Sequence, residues 1–121
     1  MDLIADRKYV GTWTGQILVN QTPRSMYFSR ISAYVLQDNC HIMNLTVQET
    51  IYYAAWTRLP CGTSVENLRC RVSELLEMMG MNDVRNCKVS EISSGYVKRL
   101  SIAVELVPLP YILFLDEVIV R

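Results

Sequence analysis

The spacing of apolar residues changes along the chain, and each spacing predicts its own kind of element. Two short runs, Ile17-Leu18-Val19 and Ile31-Ser32-Ala33-Tyr34-Val35-Leu36, read as strands, with Asn20-Gln21-Thr22-Pro23 as a turn between them. The second run passes straight into a polar break, Gln37-Asp38-Asn39. Helical spacing follows: Val47, Ile51, Ala54, Ala55 and Leu59 mark one face, behind the capping-box pattern Thr46-Val47-Gln48-Glu49, until Pro60 and Gly62 stop it. Ser64 opens a second helix with the stripe Val65, Leu68, Val72, Leu75, Leu76 and Met79, ending at Gly80. A third starts at Ile92-Ser93-Ser94-Gly95, carries Val97, Leu100, Val104 and Val107, and is broken by Pro108 and Pro110. The run Tyr111-Ile112-Leu113-Phe114-Leu115 is then apolar without interruption and ends in two acids, Asp116-Glu117. A run so short and so apolar predicts a strand buried on both faces of a parallel sheet. At the other end, Met1, Leu3, Ile4 and Ala5 ahead of basic Arg7-Lys8 read as the later turns of a helix. Strands interleaved with helices make the fold class α/β.

Composition narrows the classes. At 121 residues the chain is one domain at most, and half its residues are hydrophobic, so it is globular rather than disordered. Twelve basic and twelve acidic side chains cancel, which leaves no electrostatic footprint for nucleic acid. No apolar stretch approaches the roughly 18–20 residues that a membrane span needs. The cysteines Cys40, Cys61, Cys70 and Cys87 have no zinc-ligand spacing and read as reduced thiols of a cytosolic domain.

Two places carry candidate chemistry. Ligands of open α/β sheets bind beyond the carboxyl ends of the strands, so Asp116 and Glu117 stand where a metal is held and a proton handled. Ser93-Ser94-Gly95 at a helix start offers backbone amides and hydroxyls at the positive end of the dipole, suited to an anion. Gln37, where a strand breaks, is placed to present a side chain to a ligand. The lone His41 and the methionines Met78, Met79 and Met81 read as structural.

Taken together, these segments resemble a known family. Ile92-Ser93-Ser94-Gly95-Tyr96-Val97-Lys98-Arg99-Leu100-Ser101-Ile102-Ala103-Val104-Glu105-Leu106 is similar to the signature segment of ATP-binding cassette (ABC) transporters. Its Lys-Arg-Leu-Ser-Ile-Ala-Val-Glu-Leu portion resembles the G subfamily, the pleiotropic drug-resistance and sterol or lipid exporter type. Residues 112–117 resemble the Walker B strand, 32–38 the strand and Q-loop, and Leu45-Thr46-Val47-Gln48-Glu49-Thr50 the start of the helical subdomain. Gly15-Gln16-Ile17-Leu18-Val19-Asn20 and residues 1–8 resemble the early segments. The likeness implies a P-loop NTPase-like ABC ATPase domain with an inserted helical subdomain. It divides into a sheet portion and Q-loop at about 1–39, a helical subdomain and signature helix at about 40–107, and the Walker B strand at 110–117.

By resemblance, Asp116 would hold Mg²⁺ and Glu117 would orient or deprotonate the attacking water. Gln37 would contact the Mg²⁺ or that water and couple the site to the transmembrane domain. Ser93, Ser94 and Gly95 would meet the γ-phosphate of ATP bound to a second nucleotide-binding domain, in a dimer that powers export of lipophilic substrates. The domain would then work at the cytoplasmic face of a membrane, against transmembrane domains. The departures matter equally. The Gly-rich phosphate loop with its Lys (Walker A) is not among these residues, and neither are the segments that follow Walker B. Ser94 replaces the first signature glycine, Tyr96 the usual Glu or Gln, and Val118 a Pro, while Gln21 and Asp6 stand where the family has glycines. The expectation is therefore a partial cassette inactive by itself, with apolar surface exposed where the sheet lacks a member. The alternative is a non-catalytic remnant that acts, if at all, as an interaction module on a full cassette.

Overall fold

The structure, a computed structural model, describes residues 2–7, 10–36 and 41–115. Its centre is a pair of parallel strands, β3 (Ser32–Val35) and β4 (Ile112–Leu115), in register from Ser32 opposite Ile112 to Val35 opposite Leu115. Parallel neighbours need a long crossover, and three helices provide it: α2 (Val47–Arg58), α3 (Val65–Met78) and α4 (Ser94–Leu106). Ahead of β3 lie a small antiparallel hairpin, β1 (Leu18–Val19) with β2 (Thr22–Pro23), and a single helical turn, α1 (Phe28–Ile31). The mixed α/β class is the predicted one; Thr22–Pro23, read from sequence as part of a turn, pairs as β2, and the Ile31 end of the second run belongs to the unpredicted α1 instead of the strand.

The helices form because each has a chemically defined start. Thr46 accepts from the amide of Glu49 at 3.2 Å, and Glu49 accepts from the amide of Thr46 at 2.9 Å, which completes the capping box of α2. The bond from the Thr46 backbone, with that from its hydroxyl, holds the Glu49 carboxyl below the usual carboxylate range. The Val47 and Gln48 amides reach carbonyls of a later segment, Cys87 and Arg85, both at 3.0 Å, and the Arg85 guanidinium returns to the Gln48 side chain at 2.8 and 3.0 Å. Ser64 caps α3 by accepting from Asn67.

α3 ends in a Schellman motif. The Met81 amide donates to Leu76 at 2.8 Å and Gly80 to Glu77 at 3.0 Å, with Gly80 at φ 61° and Met81 and Leu76 both fully buried. A Cβ at position 80 would meet only the tip of Arg99 at 3.7 Å, so space is not the constraint. Gly80→Ala is expected to lower stability by about 1–2 kcal/mol, the left-handed penalty of an L residue. An unchanged urea midpoint would show that the motif relaxes around the new side chain.

Packing follows the predicted stripes. Val47, Ile51 and Ala55 of α2, Leu68, Val72, Leu75 and Leu76 of α3, and Leu100, Ala103 and Val107 of or next to α4 share one core with Met81 and Val89. Ala54, Leu59, Met79 and Val104 sit on its rim, and Val65 is left exposed. Two arginines grip the carbonyl end of α4. Arg71 donates to Leu106 at 2.8 Å and to Val107 at 3.3 Å, and Arg58 donates to Val104 at 3.1 Å while pairing with Glu105 at 2.8 Å. Both answer the negative end of the helix dipole.

The amino-terminal segment is a turn, not an established helix, within the described residues. The Arg7 amide donates to the Asp2 carbonyl at 2.8 Å across Asp6 at φ 62°, the geometry of a helix carboxyl end. Arg24 fixes it by donating to the carbonyls of Leu3 and Ile4 and pairing with Asp6. Strand β4 is only half-buried, and Leu115 is exposed, whereas burial on both faces was predicted. The reason is local: among the described residues β4 has one neighbour, β3, and Tyr34, Phe28 and Phe114 stack along one side of the pair.

Candidate functional site

β3 and β4 end side by side, Val35 opposite Leu115. The chain continues from those ends into Gln37 and into Asp116-Glu117, all three of which lie outside the described residues. Parallel pairing therefore puts the last described residues of both strands at the same edge of the pair. Among the described residues no group of three or more histidine, cysteine or acidic side chains could hold a metal. The predicted ligands Asp116 and Gln37 lie outside the described residues.

The third predicted element is fully described. Ser93 is the N-cap of α4, and its side chain makes no capping bond to the helix. α2 and α3 differ here, because their first-turn amides are taken by Thr46, by the carbonyls of Cys87 and Arg85, and by Ser64. Ser93 and Ser94 are exposed and Gly95 half-buried. Neither Ser94 nor Gly95 has a positive φ, and Ser94 enters the helix with ordinary geometry. The replaced glycine thus costs no backbone strain in this state.

Tyr96, which stands in place of a Glu or Gln, packs against the core, and Arg99 lies over its ring at 5.4 Å. Arg99 also reaches the Met79 carbonyl at 3.4 Å, tying the start of α4 to the end of α3. Ser93 precedes Ser101 by eight residues, about 12 Å along the helix axis. The signature residues and the α4 positions that line the clefts around β3 are therefore at different levels of one helix.

One such cleft, a cavity of about 650 Å³ between β3 and α4, is lined by Tyr34, Leu36, His41, Arg58, Ser101 and Glu105 among others. His41, read from sequence as structural, meets the Ser101 hydroxyl through Nε2 at 2.7 Å, and that hydroxyl donates to the Val97 carbonyl at 3.1 Å. Burial holds the imidazole below its ordinary value. The unfolded chain thus binds a proton that the folded chain refuses. Stability is full above about pH 6.5, the model-peptide value, and falls as the pH drops from there toward the folded pKa. His41 is the single histidine in the sequence, so thermal midpoints at pH 7.5 and 5.5 should fall together with its protonation. His41→Gln is expected to flatten that difference, and a midpoint that rises on acidification would contradict the assignment.

Sequence reasoning missed the segment 82–91, where Arg85 and Cys87, between two 3₁₀ turns at Asn82–Val84 and Val89–Glu91, close the amide end of α2. No periodicity announces such short turns. It also missed the partnership of His41 with Ser101, which lies sixty residues away in sequence.

The ABC transporter family model matches residues 7–120. ABC transporter G family member 24 of Dictyostelium discoideum is 40% identical over 97% of this chain, and ABC transporter G family member 43 of Arabidopsis thaliana is 41% identical over the same share. Pleiotropic drug resistance protein TUR2 of Spirodela polyrhiza is 37% identical, again over 97%. The chain spans about a tenth of the length of these curated relatives, 10%, 9% and 8% respectively. None of the helices described is long and apolar enough to cross a membrane. With its signature-like helix start, its parallel strand pair and a family match across nearly its whole length, the chain belongs to the ABC transporter family, as part of a nucleotide-binding domain of the G type.

Proposed function

We propose that these residues are the signature-helix and Walker B part of an ATP-hydrolysing domain, working at the cytoplasmic face of a membrane in a transporter that exports lipophilic substrates. The observation that carries the reading is the parallel pair β3–β4, whose carboxyl ends stand in register and lead on to Gln37 and to Asp116-Glu117. Those side chains are oxygen donors, the chemistry a hard divalent cation such as Mg²⁺ takes. When bound, the ion supplies charge neutralisation to the phosphates. In this reading Asp116 and Gln37 hold it, and Glu117 orients or deprotonates the hydrolytic water. Ser93, Ser94 and Gly95 present hydroxyls and amides to the γ-phosphate of ATP held by a second nucleotide-binding domain. The partition at about 1–39, 40–107 and 110–117, and docking on transmembrane domains, belong to the same proposal.

The 121 residues contain no Gly-x-x-x-x-Gly-Lys-Ser/Thr sequence, so the polypeptide they form has no phosphate cradle of its own. It is expected to release no phosphate from Mg-ATP when purified. Turnover that Glu117→Gln abolishes would overturn that expectation. A second reading, a non-catalytic remnant that docks on a full cassette, draws on Tyr96. This side chain is turned against the core under Arg99 instead of being a polar group at the signature.

A further inference from the structure

The approach to the signature helix is built on the start of α2. Residues 43–48 and 85–90 run antiparallel, with Thr46 bridged to Lys88. The Ser90 amide donates to the Met43 carbonyl at 3.2 Å and Val89 to Leu45 at 2.9 Å, while Val47 and Gln48 donate back to Cys87 and Arg85. The Glu91 amide then closes a turn on the Lys88 carbonyl at 2.9 Å, and half-buried Ile92 packs on the core just before Ser93. Ser93 makes no side-chain capping bond, so its place is set by this approach and by the packing of α4.

Backbone bonds alone do not set the register of such a pairing, because every residue offers the same amide and carbonyl. Side chains must set it. Val89, buried in the core, does so toward α4. At the α2 end the link between residues 48 and 85 is doubled. The Gln48 amide donates to the Arg85 carbonyl at 3.0 Å, and Arg85 returns Nε and Nη2 to Gln48 Oε1 at 3.0 and 2.8 Å. Both residues are half-buried, and two donors of a planar guanidinium on one oxygen fix direction as well as distance. We propose that Gln48 and Arg85 are positioning residues, which lock the register of the approach and so place Ser93-Ser94-Gly95 relative to α2. The inference rests on the reading of Ser93, Ser94 and Gly95 as phosphate-facing residues.

The test is peptide-resolved hydrogen exchange on the whole chain without nucleotide, read at 85–90 and at 91–97. Gln48→Ala and Arg85→Ala are expected to speed exchange in both stretches about tenfold, a local opening, while core amides of α3 stay unchanged. Alanine is the better helix former, so a weakened α2 does not account for the effect of Gln48→Ala. Gln48→Glu keeps the acceptor and adds charge, and should hold protection at or above that of the parent. A carboxylate in the first turn also gains from the helix dipole, so the same substitution is repeated beside Arg85→Ala, where it should recover nothing at 91–97. Faster exchange confined to 85–90 overturns the proposal, since the pair would then close α2 without placing α4. Unchanged exchange at 91–97, an increase spread evenly over α2, α3 and α4, or lost protection in Gln48→Glu overturns it as well. So does recovery by Gln48→Glu in the absence of Arg85. Because the measurement uses no ATP, a chain that never binds nucleotide would leave this result standing, and a negative result here leaves the ATPase reading untouched.

Discussion

Leu100→Ala is expected to remove most of the stability of the chain. Leu100 is fully buried, faces the shared core of α2, α3 and α4, and lies in the turn of α4 that also holds Ser101. Truncation of a buried leucine costs the lost transfer energy plus a cavity term, together about 2–5 kcal/mol. Whole domains are stable by only about 5–15 kcal/mol, and small ones sit at the low end. This chain has further reason to be marginal, with a half-buried parallel strand and several large apolar side chains in solvent, among them Trp56, Leu109 and Tyr111. Urea denaturation followed by far-UV circular dichroism is the measurement. Met78→Ala, on an exposed position of α3, is the control and should stay within about 0.5 kcal/mol of the parent. A loss below about 1 kcal/mol for Leu100→Ala would mean that the helices do not share the core described.

What was legible in the sequence was whatever depends on neighbours three or four residues away. The Thr46–Glu49 box, the Ser64 cap and the buried stripe of α3 are local devices, and each appeared where its residues predicted it. Positions read as family glycines also carried physical meaning. Asp6 and Gln21 both have left-handed backbones, at φ 62° and 66°, so the turns kept their shape when the glycines were replaced. Long-range facts were not legible. The closure of α2 by the carbonyls of residues 85 and 87, the grip of Arg71 on the end of α4, and the meeting of His41 with Ser101 join residues 35 to 60 apart. Nothing in the local pattern marks such partners. The site divides the same way: the start of α4 was readable and is described, whereas Gln37, Asp116 and Glu117 were readable and lie outside the described residues.

The largest functional effect is expected in a chimaera. Residues 7–120 can replace the matching stretch of the Arabidopsis thaliana relative, ABC transporter G family member 43, with which the chain is 41% identical. The relative then supplies the rest of its own chain, of which this stretch covers 9%. The folded chimaera is expected to hydrolyse ATP, and Glu117→Gln within it to lower kcat by at least about 10²-fold, the usual contribution of a positioned general base. KM for ATP should move little, because a carboxamide keeps the shape of the side chain and, in the role proposed for it, Glu117 acts on water rather than on the nucleotide. Two substitutions inside the signature distinguish the two functional readings. If Ser94 and Tyr96 only tune a working site, Ser94→Gly should raise turnover modestly, since Ser94 already has helical geometry and carries no strain to relieve. If the segment is a remnant, the chimaera will fold yet stay inactive, and neither Ser94→Gly nor Tyr96→Glu will rescue it. Tyr96→Glu carries its own structural cost, because it removes a ring that packs on the core beneath Arg99. Its thermal midpoint must therefore be read beside its activity. A chimaera that is folded, inactive and unrescued would leave Asp116 and Glu117 as acids at a strand end with no reaction to serve.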